Sequence, residues 1–370
     1  MALPTVHTLE ACADFHLTVL PYLSQLTSLP TKLIDSGIDI QALKHVYITT
    51  NPLVIAIAFA LFLAPVFVII SEVTRNYSQV DRCWSILPIL YNAHYSVWCR
   101  LNGLPTGIID TICAITIIWG VRLTYNYWRK GGYSIGSEDY RWAILRNKIN
   151  NRFLFFLFNL TFISLLQPVL LALITAPTYL FVLLSSTAEG SGRSVSDTVF
   201  SRLIFLFVFI EAFADQQQWR FQKAKKEFNE IARVPPQYKR VYTSNDLSRG
   251  FVVSGFWAWC RHPNFAAEQG VWLAFYQWSC VKTDQFYNWT GIGALCLVAL
   301  FQASTYLTEK ITASKYPEYK QYQLRVRKFI PRLDVEPRGE IPEDHAASEA
   351  PNPPEKPQPS KSKATKKKTK

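Results

Sequence analysis

What most constrains this chain is a series of apolar runs, each close to the length that crosses a bilayer. Residues 52–71, PLVIAIAFALFLAPVFVIIS, hold no charge, and about 20 such residues in a helix span the hydrocarbon core. Comparable runs fall at 84–100, 105–128, 153–184, 199–215, 263–281 and 286–307. The run at 84–100 is short and interrupted by Asn92 and His94. That at 153–184 is too long for one straight crossing, so kinks are expected at Pro168 and Pro177. Composition agrees: 18% of the 370 residues are charged, against about 25% in a soluble domain. Seven scattered cysteines without a C-x-x-C pair exclude a disulfide scaffold. The fold class expected is all-α, a polytopic membrane bundle of about seven transmembrane helices with a disordered cytosolic tail.

The loops give a second, independent signal. Residues 129–152 carry six basic and two acidic side chains, and 216–250 carry eight and three. The intervening loops 185–198 and 282–288 carry one basic residue each. Basic loops stay cytosolic, and seven crossings satisfy this alternation. Residues 1–50 then form a lumenal, amphipathic lead-in without a cleavable signal pattern, and 51–333 form the membrane domain. Residues 334–370 are rich in Pro and Lys and should be disordered. Their end, Lys367-Lys368-Thr369-Lys370, places lysines third and fourth from the terminus, like a dilysine endoplasmic-reticulum retrieval signal. The formal net charge of +12 sits mostly in loops beside spans. It therefore points to lipid headgroups or an anionic cofactor, with no nucleic acid partner.

Ionisable groups inside spans are functional candidates. In Arg261-His262-Pro263-Asn264-Phe265-Ala-Ala-Glu268, Pro263 suits a first helical turn. Arg261 and His262 then sit at the helix mouth, and Asn264, Glu268 and Trp272 share one face. An anion at that mouth would meet backbone N–H groups, the helix dipole and Arg261. The alternative is that Arg261 and His262 are interfacial anchors and Glu268 a satisfied core carboxylate. Glu211 and Asp215, four apart on another helix, repel one another unless a ligand, Arg261 or another basic residue relieves them. No histidine lies at ligand spacing, so no metal is expected. Weaker groups are Gly136-Ser-Glu-Asp-Tyr140-Arg-Trp142 after Arg122 and Arg129, Asp81 as a helix cap, and an interfacial segment from Thr308-Glu309-Lys310 to Tyr322.

Together these motifs, with the closing Tyr316-Pro-x-Tyr319-x3 to Phe329-Ile-Pro331, resemble the membrane steroid-reductase superfamily. The likeness is to a branch similar to the C-terminal domain of 3-oxo-5-alpha-steroid 4-dehydrogenases and covers about Asp81 to Pro331. The Arg-His-Pro motif is shared with isoprenylcysteine and phospholipid methyltransferases. The resemblance implies a helical membrane enzyme of the endoplasmic reticulum that uses NADPH to reduce a carbon–carbon double bond in a sterol or other lipid enone. It implies cofactor contacts from Glu211, Asp215, Asn264 and Glu268, with Arg261 and His262 flanking phosphates, and a proton donor among Tyr140, Asp81 and Tyr125. Glu211 stands where the steroid reductases carry Asn. Two other readings stay open: an S-adenosylmethionine-dependent lipid methyltransferase, and a non-catalytic sterol-binding protein.

Overall fold

A computed structural model describes residues 2–332; the tail at 334–370 and its dilysine pattern lie outside the described residues. Among the described residues every regular element is helical. Short helical turns lead into α1 (Gln25–Ser36) and α2 (Ile40–Thr49). There follow α3 (Pro52–Thr74), α4 (Leu87–Leu101), α5 (Gly107–Arg129) and α6 (Tyr140–Ile149). The apolar run Arg152–Ser185 forms α7. After it come α8 (Val195–Ile231), α9 (Pro263–Lys282), α10 (Gly291–Lys315) and α11 (Tyr319–Arg325).

All seven runs found in the sequence are helical, but four are long and apolar enough to cross a membrane: α3, α5, α7 and α10. The shortfall has physical causes. Helix α4 has 15 residues, about 22 Å at 1.5 Å per residue, short of a hydrocarbon core of about 30 Å. Helices α8 and α9 contain Asp197, Glu211, Glu268 and Lys282, all buried and charged, which lowers their hydropathy. The polar residues of α4 are satisfied rather than exposed. Asn92 donates to Thr116 Oγ1 at 2.8 Å and accepts from Thr178 Oγ1 at 2.6 Å, while His94 bonds the Tyr47 hydroxyl and the Pro52 carbonyl. Such pairing removes most of the penalty of burying them.

Local chemistry explains where the elements start and bend. Asn51 caps α3 by accepting from the N–H groups of Leu53 and Val54, with Pro52 in the first turn. Asn51 also donates to the Tyr179 hydroxyl, which donates to the Thr18 carbonyl, so the lead-in is tied to α7. Helix α7 is no straight rod. Its residues Asn159–Leu166 form a π segment, Pro168 opens the α-helical stretch after it, and a turn at Ile174 and Thr175 precedes Pro177. The kinks expected from the sequence take this form.

The candidate site lies where α8 packs along α9 and against α5, with α9 reaching α5 through its side chains. Gly120 brings α5 close to α4: a Cβ there would lie 2.6 Å from the Ser85 carbonyl and 2.5 Å from Ile89. With that face of α5 against α4, Trp119, Arg122 and Asn126 lie on another face, toward α8 and α9.

Candidate active site

Side chains from three helices converge on one guanidinium. Arg122 of α5 donates to Glu211 Oε1 at 2.5 Å and to Asp215 Oδ2, both on α8, and lies 3.8 Å from Glu268 Oε2 of α9. The spacing explains the convergence: residues 211 and 215 are one turn apart on α8, as are 264 and 268 on α9, so each pair lies on one face. Asp215 also accepts from Asn126 at 2.6 Å and from Asn264 at 3.0 Å. Glu268 is held from two sides, accepting from Trp119 Nε1 at 2.8 Å and from Trp272 Nε1 at 2.9 Å. The two indoles meet edge to face at 5.2 Å.

Three carboxyl groups surround one guanidinium in a buried place, so a shared proton or a further cation is needed to balance them. Glu211 and Glu268 are each 4% exposed. Two acceptors, Glu211 Oε2 and Asn264 Oδ1, are buried without a hydrogen-bond partner. Arg122 Nε, a donor, is likewise buried without a partner. Buried polar atoms are nearly always paired, so the cluster fits a ligand that brings both donors and an acceptor, or a proton shared between Glu211 and Glu268. Toward the C-terminal end of α5, Arg129 donates to Gln216 Oε1 at 2.9 Å and lies over the rings of Trp219 and Tyr125 at 4.6 and 5.4 Å.

Beside the cluster, toward the start of α5, lies a narrow apolar cleft with a void of about 20 Å³. Ile112, Ile115, Thr116 and Trp119 line it from α5, and Ile204 from α8. From α9 come Val271, Trp272, Phe275 and Trp278. Trp119 and Trp272 therefore belong both to the cleft wall and to the shell of Glu268. No group of His, Cys, Asp and Glu side chains among the described residues could hold a metal ion.

Of the residues expected from the sequence, Glu211, Asp215, Asn264 and Glu268 meet in this cluster. Arg261 and His262 do not face it. Arg261 is buried and pairs with Glu309 of α10 through Nε at 2.7 Å and Nη2 at 3.1 Å, while Nη1 donates to the carbonyls of Gln323 and Val326. His262 Nε2 bonds the same Glu309 oxygen at 2.8 Å. Their side chains are thus committed to holding the segment after α10, which leaves a phosphate little to bind. Glu309, read from the sequence as part of an interfacial segment, is instead 6% exposed and central to this junction.

The three proton-donor nominees also stand apart from the carboxylates. Tyr125 and Tyr140 are about half exposed, at 55% and 54%. Asp81 Oδ2 accepts from Trp142 Nε1 at 2.7 Å, in a separate junction where Asp139 pairs with Arg141 and Arg141 reaches Ser304. Burial pushes the Asp81 carboxyl up from its ordinary range, against the lowering influence of Arg141 and the Trp142 hydrogen bond. Burial opposes ionisation of Asp139 as well, but there the hydrogen bonds and charge of Arg141 prevail and hold it below the usual carboxylate range. Trp119, Arg122 and Asn126 come to the fore only in the structure; an Arg and an Asn four apart inside an apolar run are the trace they leave in the sequence.

Comparison with known proteins gives these helices a family. The model of DUF1295, a protein of unknown function, matches residues 67–326, which contain all three helices of the cluster. An uncharacterized protein of Schizosaccharomyces pombe is 38% identical over 334 residues, covering 90% of this chain and 94% of that protein. No solved structure matches. On both the length matched and the identity, this chain belongs to the DUF1295 family.

Proposed function

We propose that this chain is a membrane-embedded reductase that uses NADPH to reduce a carbon–carbon double bond in a sterol or other lipid enone. The observation that carries the reading is the pair of unpartnered buried acceptors, Glu211 Oε2 and Asn264 Oδ1, beside an apolar cleft. A carboxamide and ribose hydroxyls supply the donors those atoms lack, and the apolar lining of the cleft matches hydrocarbon in character. The likeness of the Arg261-His262-Pro263-Asn264-Phe265 and Glu268 motif to steroid reductases supports the same reading.

When bound, NADPH supplies a hydride. The chain's own residues would orient and shield. Asn264 and Glu211 would accept from the carboxamide and hydroxyls, and Asp215, fixed by Arg122, Asn126 and Asn264, would hold Asn264 in place. Trp119 and Trp272 fix the Glu268 carboxylate and exclude water from the cleft end. Arg129 and Lys130, at the end of α5, would meet the phosphates.

The proposal includes seven crossings. Helices α4, α8 and α9 complete the four apolar ones, the basic loops face the cytosol, and the membrane is that of the endoplasmic reticulum. One feature favours a second reading. Three carboxylates to one guanidinium suit a cationic sulfonium, as in an S-adenosylmethionine-dependent lipid methyltransferase. Thermal unfolding of the detergent-purified chain with each cofactor separates the two. Stabilisation by NADPH alone, abolished by Asn264→Ala or Glu268→Ala, is expected; stabilisation by S-adenosylmethionine alone overturns the reductase. Indifference to both points to a non-catalytic sterol-binding protein.

A further inference from the structure

The three carboxyl groups of the site differ in how many of their oxygens are already satisfied. Both oxygens of Asp215 accept, Oδ1 from Asn264 and Oδ2 from Arg122 and Asn126. Both oxygens of Glu268 accept, one from each indole. Glu211 accepts through Oε1, from Arg122 Nη2, while its Oε2 is buried without a hydrogen-bond partner. The same Nη2 lies 3.8 Å from Glu268 Oε2, and the Glu211 and Glu268 side chains stand within hydrogen-bond reach of one another. The charges that face Glu211 are therefore Arg122 of α5, Asp215 one turn along α8 and Glu268 of α9, with Lys130 acting on Asp215 from the end of α5.

An ionised carboxylate only accepts, so two carboxyl groups meet in a hydrogen bond only when one of them carries a proton. Two carboxylates that share a site do not both ionise. Glu211 has room for the proton, because a proton on Asp215 or Glu268 would confront an N–H already aimed at that oxygen. We infer that the ligand-free site stores one proton on Glu211, donated toward Glu268, and that a ligand bringing an N–H or O–H donor or a positive charge enters in exchange for it. A carboxylic O–H accepts poorly, so Oε2 becomes an acceptor for the ligand once its proton has passed to solvent. Asn264 Oδ1, the other unpartnered acceptor, carries no proton and accepts without exchange. Ligand affinity then rises with pH, about tenfold per unit while the free site holds its proton. The identity of the ligand rests on the reductase reading; the stored proton does not.

The test uses the full chain in nanodiscs. Infrared spectra of the ligand-free parent should show a protonated carboxylic acid band that shifts in D2O and is lost in Glu211→Gln, which keeps the shape of the side chain. Glu268→Gln removes the acid that Glu211 faces, so it should lose the band as well, and it serves should Glu211→Gln fail to fold. Calorimetric titration with NADPH near neutral pH, repeated in buffers of different ionisation enthalpy, should release about one proton more per molecule bound in the parent than in either variant. Taking the difference removes whatever the phosphates of NADPH contribute. A parent spectrum that matches the folded variants in the carboxylic acid region overturns the stored proton. NADPH that binds the parent with no more proton release than the variants overturns the exchange. Release on adding S-adenosylmethionine, with no binding of NADPH, overturns the reductase reading and keeps the exchange. Binding of neither overturns both, and the infrared band still decides the stored proton.

Discussion

Replacing Arg122 by Met is the most direct probe of the centre. The side chain keeps its bulk and loses its charge, leaving Glu211, Asp215 and Glu268 together with no cation. Removing one partner of a buried ion pair costs about 3–5 kcal/mol, because the remaining charge is stranded. Arg122 serves two close carboxylates from one guanidinium, so the losses overlap and do not double. The expected destabilisation is therefore about 3–5 kcal/mol, read from reversible denaturant titration in micelles. Adding Glu211→Gln and Asp215→Asn to Arg122→Met should recover most of it, since only Glu268 then stays charged and its two indole donors remain. An Arg122→Met chain within about 1 kcal/mol of the parent, the range of an ordinary surface change, would refute the reasoning. So would a triple variant no more stable than the single one.

Other perturbations separate the junctions around the site. Asp81 is raised by burial, so its ionisation opposes folding. Asp81→Asn, which keeps an acceptor for Trp142, should stabilise the chain at neutral pH, with the advantage vanishing as pH falls and the native carboxyl protonates. Asp139 is shifted down by Arg141 against burial, so the sign reverses. Its contribution is present above about pH 4, the unfolded value, and is lost as pH falls through the folded one. Asp139→Asn should thus destabilise by about 1–2 kcal/mol at neutral pH, and the gap should close in acid. Glu309→Gln leaves the Arg261 guanidinium without its anion; hydrogen exchange should rise across 319–332 and remain unchanged in α5. Burial pushes the Cys260 thiol up to about 11, with backbone and Arg261 pulling the other way, so iodoacetamide at pH 8 should label it only after unfolding.

The helices were legible because apolar runs of about 20 residues leave few alternatives, and the pairs 211/215 and 264/268 were legible because four residues make one turn. The cation between them was not. A carboxylate pair on a buried helix announces that something must balance it, but not what. Arg261 is the nearer candidate in the motif, whereas the structure supplies Arg122 from a helix about 90 residues earlier in the chain. The same limit misplaces Arg261 and His262: nothing in their surroundings in the sequence shows that Glu309, 48 residues on, will occupy them. Four of the seven apolar runs, and not all seven, are long and apolar enough to cross a membrane for a related reason. Charges that face one another across α5, α8 and α9 lower the mean hydropathy of a segment while remaining buried in the protein.

The centre also sets an order of events during synthesis. Arg122 is made 89 residues before Glu211 and 93 before Asp215. At ribosomal rates of about 5–20 residues per second, roughly 5–20 s pass before either partner exists. Through that interval the guanidinium lacks the carboxylates that balance it in the folded chain, and an unpaired charge within an apolar helix is costly to bury. Helix α5 can therefore reach its final place only once α8 arrives, and this half of the protein would assemble late and as a unit rather than helix by helix.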